Sequence, residues 1–468
     1  PGLGGDAGDD DARRDRQPGD EKSLGEEIGR QVLAQPQAIG ISGGILLALG
    51  LVPGLPFLPF ATLACATGGL AWAVKRSREA PKASALTAEL KRGGGDGFHG
   101  DARELLPIAT PVSIEVSPQL TPLIDVGEEG RDFVRRLVPR LRRQIFDELG
   151  LPLHGVRVIG RALHLQANTY SIHVNEIPVA QGMAPPDHVF IGRDAEQLVM
   201  LGIEGLPALD PETGARGLWI SRAEAERSQQ VVGDRAEQPQ EFVARHLTQV
   251  LRERADALLG VHDVQNMLDQ LDDKGYGMLV SAVVPERVSL QRLADVLRRL
   301  LREQVTIRNL PSVLEAMAEW ATPQSDPIFL GECARSHLKA YLAHKFSRGT
   351  SLICGYPVDP RIEQVVRDHV NRSGAGRTLM MTPDANRAVL ESMRQAVGAD
   401  PATDGGFGPI LLCQNDVRYF VRELAITLWP RAVVLSYQEL PADQRIQPLG
   451  RVLASPALVE GLEVADAA

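Results

Sequence analysis

One serine lies at a spacing that could support nucleophilic chemistry. Ser42 is the centre of Gly40-Ile41-Ser42-Gly43-Gly44, which matches the GxSxG pattern of serine hydrolases. A serine hydroxyl becomes a strong nucleophile only when a base takes its proton, and the apolar run around it, residues 31–74, contains no histidine. Small residues that let two helices pack closely explain the same letters. We therefore interpret Ser42 as a packing residue, and a membrane-anchored hydrolase that uses Ser42 is the alternative function.

A glycine-rich segment matches a nucleotide-binding pattern by its letters alone. Gly95-Asp96-Gly97-Phe98-His99-Gly100 satisfies GxGxxG. A dinucleotide site places these glycines between a strand and a helix, so that the pyrophosphate meets the helix N-terminus. Here the surrounding residues 76–107 show little periodic hydrophobicity, which is typical of a flexible linker. The segment is predicted to be a spacer, and no cofactor is predicted.

The histidines and cysteines do not show the spacing of a metal site. None of the ten histidines belongs to an HExxH pair, and the four cysteines contain no CxxC. His164 and His173 fall in predicted strands, but the sequence offers no third ligand at a suitable spacing. Because no P-loop lysine or supported carboxylate pair is found either, the chain is predicted to bind no metal and not to be an enzyme.

Binding of phosphate or nucleic acid would depend on one arginine-rich segment. Its basic residues are Arg131, Arg135, Arg136, Arg140, Arg142 and Arg143. Apolar residues recur every four positions in the same segment and predict a helix with one buried side: Phe133, Leu137, Leu141, Ile145 and Leu149. Pro139 lies off that stripe, where a kink is expected. The arginines then form a solvated face, and the net charge of −10 argues against a nucleic-acid binder.

A long uncharged run predicts a membrane segment. The 44 residues 31–74 contain no Asp, Glu, Lys, Arg or His, and Pro53-Gly54 interrupts them near the middle. One span needs about 20 residues, so the run predicts two spans at roughly 36–52 and 57–74. Positive charges flank the run on both sides, which predicts that both ends of this hairpin, residues 31–75, face the cytoplasm. Because the chain begins with proline, it is interpreted as a piece of a longer protein.

The residues before the hairpin and those after it differ in character. Residues 1–30 hold nine acidic and five basic residues and few large apolar ones, which predicts a disordered acidic tail. Residues 111–116, 156–161 and 163–179 are predicted to be strands, and a turn-rich segment at 205–214 lies between predicted strands at 188–192 and 217–220.

Helical periodicity and then an α/β pattern follow. Residues 242–345 are predicted to be helical nearly throughout, and Ser289 is the expected N-cap of one helix. After Gly349, short apolar strands alternate with helical stretches; the predicted strands are 351–354, 409–413 and 432–435, and the helices are 358–371, 383–397 and 415–427. The fold class is therefore α+β: a module of several subdomains, with two α/β units, a small inserted unit and a helical unit, preceded by a two-helix transmembrane hairpin.

Specific strings resemble a known family. Gly50-Leu51-Val52-Pro53-Gly54-Leu55-Pro56 between the two spans, preceded by Leu24-Gly25-Glu26-Glu27-Ile28, resembles the last membrane hairpin of the bacterial type III secretion major export gate, a family shared by flagella and injectisomes. Glu303-Gln304-Val305-Thr306-Ile307-Arg308-Asn309-Leu310 is similar to a helical segment of its cytoplasmic domain. Leu435-Ser436-Tyr437-Gln438-Glu439-Leu440 and Ile446-Gln447-Pro448-Leu449-Gly450-Arg451-Val452 look like the injectisome, or virulence, branch.

The resemblance implies a cytoplasmic domain of four subdomains that assembles into a homo-nonameric ring beneath the export channel in the bacterial inner membrane. It also implies the partners, which are secretion chaperones with their effector or translocator substrates, a gatekeeper protein, the ATPase stalk and the other membrane subunits of the apparatus. Expected boundaries are 76–107 for a linker, 108–186 with 238–257 for the first subdomain, 187–237 for an insert, 258–337 for a helical subdomain, 338–454 for a C-terminal α/β subdomain and 455–468 for a tail.

The resemblance also implies site residues. Flagellar members dock chaperones through an aspartate, a phenylalanine three residues later and a threonine on the following helix, and the matching positions here are Asp210, Thr213 and Arg245. The apolar anchor is therefore lost, and docking is expected to be polar, with an exposed Asp210 beside Arg245, or to use another surface. In the linker, which reaches a neighbouring subunit in the family, the apolar candidates are Phe98, Leu105 and Leu106.

Overall fold

The computed structural model describes residue 62 and residues 109–124, 132–192, 199–200, 202–227, 236–373, 376–398 and 407–455. Several predicted segments lie outside the described residues: the acidic tail, the hairpin apart from Thr62, the linker, and the C-terminal tail 455–468 apart from Ser455. The candidate residues Ser42, Phe98, Leu105 and Leu106 lie outside them as well. No helix in the described ranges is long and apolar enough to span a bilayer. Residues 107–468 form a compact unit, and its elements are given below.

The first sheet has four strands in the order β2-β1-β3-β4. They are β1 (Val112–Val116), β2 (Arg157–Ile159), β3 (Thr169–Val174) and β4 (Ile177–Met183). The strand predicted at 111–116 is thus confirmed, whereas the continuous strand predicted at 163–179 is wrong in its extent. Asn175 and Glu176 both have positive φ, 51° and 65°, and this tight turn folds the segment into the β3–β4 hairpin.

Helices α1 (Thr121–Ile124) and α2 (Val138–Leu149) pack beside this sheet, and a π-helical turn, Phe133–Leu137, leads into α2. The predicted apolar stripe of this segment is buried. Pro139 is the second residue of α2 and directly follows the π-helical turn; because it has no N–H, it cannot continue the i→i−5 bond that Val138 makes to Phe133, and it marks the junction of the two helical forms. Gly150 ends α2 with a left-handed φ of 80°.

A small three-stranded sheet, in the order β5-β7-β6, forms the insert. Its elements are β5 (His188–Ile191), β6 (Leu206–Leu209), β7 (Arg216–Ser221) and α3 (Arg222–Arg227). Strands β5 and β7 confirm the strands predicted near 188–192 and 217–220. Strand β6 was not expected, because its sequence lies in the turn-rich segment and includes Pro207; proline is tolerated there because β6 is an edge strand.

Helices fill most of the next hundred residues, as predicted. They are α4 (Pro239–Glu253), α5 (Ala255–Leu258), α6 (Val261–Leu271), α7 (Gly277–Val283), α8 (Leu290–Arg302), α9 (Leu310–Trp320), α10 (Pro327–His337) and α11 (Lys339–Ser347). The expected N-cap is confirmed, since the Ser289 hydroxyl accepts a hydrogen bond from the backbone N–H of Arg292 at 3.3 Å. The buried side of α8 packs into the same core as the first sheet.

A parallel sheet in the order β12-β11-β8-β13 organises the last part. Its strands are β8 (Leu352–Pro357), β11 (Ile410–Cys413), β12 (Val433–Ser436) and β13 (Arg445–Pro448), and its helices are α12 (Pro360–Asp368), α13 (Pro383–Val397) and α14 (Asn415–Leu428). An antiparallel hairpin, β9 (Val370–Ser373) and β10 (Gly376–Leu379), follows α12. The helix predicted at 358–371 therefore ends earlier than expected, and those at 383–397 and 415–427 are confirmed.

Candidate partner-binding site

The turn at residues 210–214 connects β6 to β7 and is built by Asp210. Its Oδ1 accepts hydrogen bonds from the backbone N–H groups of Glu212 (2.9 Å) and Thr213 (2.8 Å). Gly214 supplies the left-handed φ of 73° that brings the chain back toward β7. An aspartate that accepts from the backbone two and three residues later is a common way to form such a turn, so the local sequence dictates this conformation.

Arg245, on α4, connects this turn to the rest of the molecule. Its Nη1 donates to Asp210 Oδ2 at 2.8 Å, and its Nε and Nη2 donate to the two carboxylate oxygens of Glu237 at 3.0 and 2.7 Å. The structure thus brings Asp210 and Arg245 together. Thr213 lies in the same turn and is exposed, and its hydroxyl accepts from the N–H of Ala215.

The expectation of an exposed Asp210 is wrong. The Asp210 side chain is only 13% exposed, and that of Arg245 is 26% exposed. The carboxylate is covered because the guanidinium occupies one oxygen and the backbone of the turn occupies the other. What the turn offers to a partner is therefore a closed ion pair, the exposed Thr213 hydroxyl and its neighbouring backbone, not a free carboxylate.

Both members of this pair are charged. Burial alone would raise the pKa of the Asp210 carboxyl, but the hydrogen bond from the Thr213 backbone and the charge of Arg245 outweigh it, and the pKa lies below its ordinary value. Burial opposes the charge of Arg245 as well, yet Glu237 and Asp210 hold the pKa of its guanidinium above the ordinary value. The pair therefore stays ionised in neutral solution.

An aromatic cluster lies beneath the pair. The ring centroid of Phe242 is 4.7 Å from that of Phe190 and 4.9 Å from that of Trp219, and all three side chains are buried. The guanidinium carbon of Arg245 is 5.5 Å from the Phe242 ring centroid, so the arginine covers this core. These aromatic residues support the site from below and do not provide an apolar anchor on the surface.

The residues that hold the other side of the turn carry no recognisable sequence signal. Arg252, two turns beyond Arg245 on α4, donates to Glu212 at 3.3 Å and to both oxygens of Glu148 at 2.7 and 2.8 Å. Arg431, from the C-terminal α/β part, donates to the backbone carbonyl of Glu212 and lies 3.4 Å from the Glu253 carboxylate. The turn is thus held by α4 on one side and by the C-terminal part on the other.

A second charged cluster is buried where α8, α10 and α14 meet. Arg418 donates to Glu303 at 2.7 and 3.0 Å and to Glu332 at 2.6 and 2.5 Å. Arg335 donates to Glu303 at 2.9 Å and to Glu439 at 2.6 and 2.9 Å. Burial would raise the pKa of the Glu303 carboxyl, but Arg418 and Arg335 lower it to about 2. This cluster joins the helical part to the C-terminal part.

The residues weighed for other chemistry do not form a site. His164 Nε2 lies 3.0 Å and His173 Nε2 lies 3.8 Å from the same oxygen of Glu115, a neighbour that the sequence did not reveal. Across the described ranges, no three His, Cys, Asp or Glu side chains are arranged to hold a metal ion. Of the predicted arginine face, Arg135, Arg136, Arg140 and Arg143 are exposed, whereas Arg142 turns inward and donates to the carbonyl of Leu153.

Comparison with known proteins adds a family assignment to this geometry. A model of the FHIPEP family matches residues 15–445. The low calcium response locus protein D of Yersinia pestis is 32% identical over 456 residues, which cover 92% of this chain and 62% of that protein. The chain therefore spans less than two thirds of the length of this relative.

Solved structures share the fold. A chain from the complex of the CdsV and CdsO proteins of Chlamydia pneumoniae is 31% identical, with a TM-score of 0.65 over 75% of this chain and 99% of that chain. The nonameric EscV cytosolic domain from the type III secretion system is 18% identical, with a TM-score of 0.57 over 75% of this chain and 98% of that chain, which is a likeness of fold alone.

Proposed function

The chain belongs to the FHIPEP family, and on that premise we propose that it is an export-gate component of a type III protein secretion system, in which the described domain is a cytoplasmic platform for proteins awaiting export. The observation that carries the proposal is the family match, because it runs through both the predicted hairpin and the described domain. It agrees with the strings that resemble export gates, and the fold of CdsV supports it. The proposed role is one of binding and transport, without catalysis.

The proposed location is the bacterial inner membrane. The uncharged run 31–74 supports a hairpin that places the described domain in the cytoplasm. The linker 76–107 would then connect the hairpin to the domain, and Phe98, Leu105 and Leu106 are its proposed contacts with a neighbouring subunit.

We also propose that the domain has four subdomains and forms a homo-nonameric ring. The first sheet and α4 support a subdomain of residues 108–186 with 238–257, and the β5-β7-β6 sheet supports an insert at 187–237. Helices support a third subdomain at 258–337, and the parallel sheet supports a fourth at 338–454. The EscV domain is a nonamer in its solved structure, and this chain shares that fold.

The proposed partners are secretion chaperones carrying effector or translocator substrates, the gatekeeper protein, the ATPase stalk and other membrane subunits of the apparatus. Asp210, Thr213 and Arg245 are the proposed docking residues, and the closed ion pair between Asp210 and Arg245 supports polar recognition there. For CdsV, a complex with another protein, CdsO, has been solved.

Capture of the organism's secretion chaperones and gatekeeper by the full chain tests this proposal. We expect the paired replacement Asp210→Arg with Arg245→Glu to reduce capture, most at low salt, because it exchanges the positions of the two charges beside the exposed Thr213, and charges at an interface act mainly on association. Asp384→Arg, at a side chain that is 90% exposed in the C-terminal part, is the matched control and should capture normally. No capture by the wild-type chain would contradict the platform function, whereas equal capture by wild type and the paired variant would move the docking site elsewhere.

A further inference from the structure

A small cavity lies beside the buried charged cluster, where α8, α10 and α14 meet. Its lining includes the side chains of Arg299, Glu303, Glu332, Arg335 and Tyr419. The cavity volume is about 10 Å³, which is room for one water-sized group. A single water molecule or a monatomic ion therefore fits, and a larger ligand does not.

Arg299 lines this cavity without a partner of opposite charge. Its Nε and Nη1 atoms are buried, and neither has a hydrogen-bond partner among the described residues. The guanidinium carbon lies 5.3 Å from the Tyr419 ring centroid, and no ion pair with Arg299 is formed in the described ranges. A buried N–H group without an acceptor is costly, so these two groups require an acceptor that the described protein atoms do not supply.

The neighbouring cluster has balanced charges without Arg299. Three arginines face three glutamates there, and each of these side chains is at most 9% exposed: Arg335, Arg418, Arg422, Glu303, Glu332 and Glu439. A further carboxylate, that of Glu423, pairs with Arg422, but it is 37% exposed and does not line the cavity. Arg299 is therefore an additional positive charge at this junction.

Two carboxylates also line the cavity, but their negative charge is already compensated. Glu303 accepts hydrogen bonds from both Arg418 and Arg335, and Glu332 accepts two from Arg418. Burial raises the pKa of the Glu332 carboxyl above its ordinary value, although the charge of Arg418 opposes this. The cavity therefore favours a negative ion, because Arg299 and Arg335 face it and a metal cation would be repelled by both.

We propose that this cavity binds one halide ion such as chloride and that Arg299 is its main ligand. A halide accepts hydrogen bonds from both N–H groups and neutralises the additional charge. A water molecule would accept the same hydrogen bonds but would leave that charge uncompensated. Arg299 is half-buried, so the ion can enter along its side chain from the solvent. The site does not depend on the proposed export role.

The ion is expected to stabilise the folded chain in proportion to its concentration. A ligand that binds only the folded state raises the ratio of folded to unfolded protein about a hundredfold when its concentration is about 100 times the Kd. With one site, the logarithm of that ratio should rise with a slope of about one against the logarithm of the halide concentration above the Kd. Gluconate is too large for the cavity, so its sodium salt keeps the ionic strength equal without filling the site.

The test is urea unfolding of the purified full chain in sodium chloride, sodium bromide and sodium gluconate at equal ionic strength. We expect higher urea midpoints in the two halides than in gluconate. Arg299→Gln removes the charged ligand and should abolish this difference. Arg387→Gln, at a side chain that is 77% exposed, is the matched control and should keep it.

A second variant closes the cavity without changing any charge. A Cβ at Gly331 on α10 would lie 4.0 Å from Cδ of Arg299, and Gly331 itself lines the cavity, so Gly331→Ala places a methyl group in the space for the ion. Alanine favours a helix more than glycine does, so this variant should fold. We expect its urea midpoint to be the same in halide and gluconate.

Bromide also locates the ion, because its anomalous X-ray scattering identifies it in crystals of the full chain. A bromide peak within hydrogen-bond distance of the Arg299 guanidinium is expected. Equal midpoints of the wild type in halide and gluconate would mean that the cavity holds water, and this result would overturn the proposal. A halide effect that survives both Arg299→Gln and Gly331→Ala would place the ion elsewhere and would overturn it as well.

Discussion

The guanidinium of Arg418 is fully buried and lies 2.7 Å from the carboxylate of Glu303, although 115 residues separate them along the chain. Glu303 follows the end of α8, and Arg418 lies in the first half of α14, so the pair joins the helical part to the C-terminal part. Both residues have further partners of opposite charge, which compensates the cost of removing them from water. The two parts are therefore expected to behave as one rigid body in solution.

Replacing Arg418 by methionine should destabilise the protein strongly. The change keeps much of the side-chain volume and leaves the carboxylates of Glu303 and Glu332 buried without their main partner, which costs about 3–5 kcal/mol. Urea unfolding of the purified chain measures the loss. Arg387→Met, at a side chain that is 77% exposed, is the control and should change the free energy of unfolding by less than about 0.5 kcal/mol. Equal effects of the two changes would contradict a structural role for the buried cluster.

Gly182→Ala should destabilise the first sheet. Gly182 on β4 lies opposite Tyr170 on β3, and a Cβ at Gly182 would lie 2.5 Å from Cζ of the buried Tyr170 ring. The ring cannot withdraw freely, because its hydroxyl is hydrogen-bonded to Nδ1 of His246 at 2.7 Å. A loss of about 1–3 kcal/mol in the free energy of unfolding is expected. Gly155→Ala, where an added Cβ meets nothing within 4 Å, should have little effect.

Helices and strands whose buried residues recur at a regular spacing could be predicted from the sequence. Short polar strands could not. The helices of residues 242–345 and the apolar strands β11 and β12 belong to the first class. Strand β13, Arg445–Pro448, contains one strongly apolar residue and lies at the edge of its sheet, so neither composition nor alternation reveals it. The β9–β10 hairpin is missed for the same reason.

The charged contacts could be predicted only in part. The resemblance indicated Asp210 and Arg245, and the structure shows that they form an ion pair across 35 residues of sequence. Nothing in the sequence distinguishes the buried Arg418 from the exposed Arg387, because burial depends on packing between elements that are distant along the chain. The same limit applies to Arg431, whose contact with Glu212 spans 219 residues.

Asp210→Asn should make the free energy of unfolding depend less on pH in the acid range. The folded-state pKa of Asp210 lies below its ordinary value, so its charge contributes stability that is present above the unfolded pKa of about 4 and is lost as pH falls below it. The asparagine variant lacks this contribution, and it should be less stable than the wild type at neutral pH and closer to it at about pH 3. Urea midpoints across that range measure the slope, and parallel profiles for the two proteins would contradict the prediction.

The predicted hairpin should hold the full chain in the membrane. Because residues 31–74 are uncharged, we expect the chain to stay with the membrane fraction after alkaline carbonate extraction. Deletion of residues 36–74 should release it, whereas deletion of the linker, residues 76–107, leaves both spans intact and should not. Recovery of the undeleted chain in the soluble fraction would refute the hairpin.

Arg431→Gln should loosen the turn at residues 210–214 without unfolding the domain. Arg431 contacts both Glu212 and Glu253 from the C-terminal part, and glutamine is too short and uncharged to keep both contacts. The side chain is 26% exposed, so the loss in global stability should stay at or below about 1 kcal/mol. Amide hydrogen exchange should therefore become faster in the turn and stay unchanged in β11 and β12, because the turn opens locally once one of its two supports is removed.

Arg445→Gln, at an exposed position of the C-terminal part, is the control for the Arg431 variant. Unchanged exchange in the turn would mean that α4 alone, through Arg245 and Arg252, holds it in place.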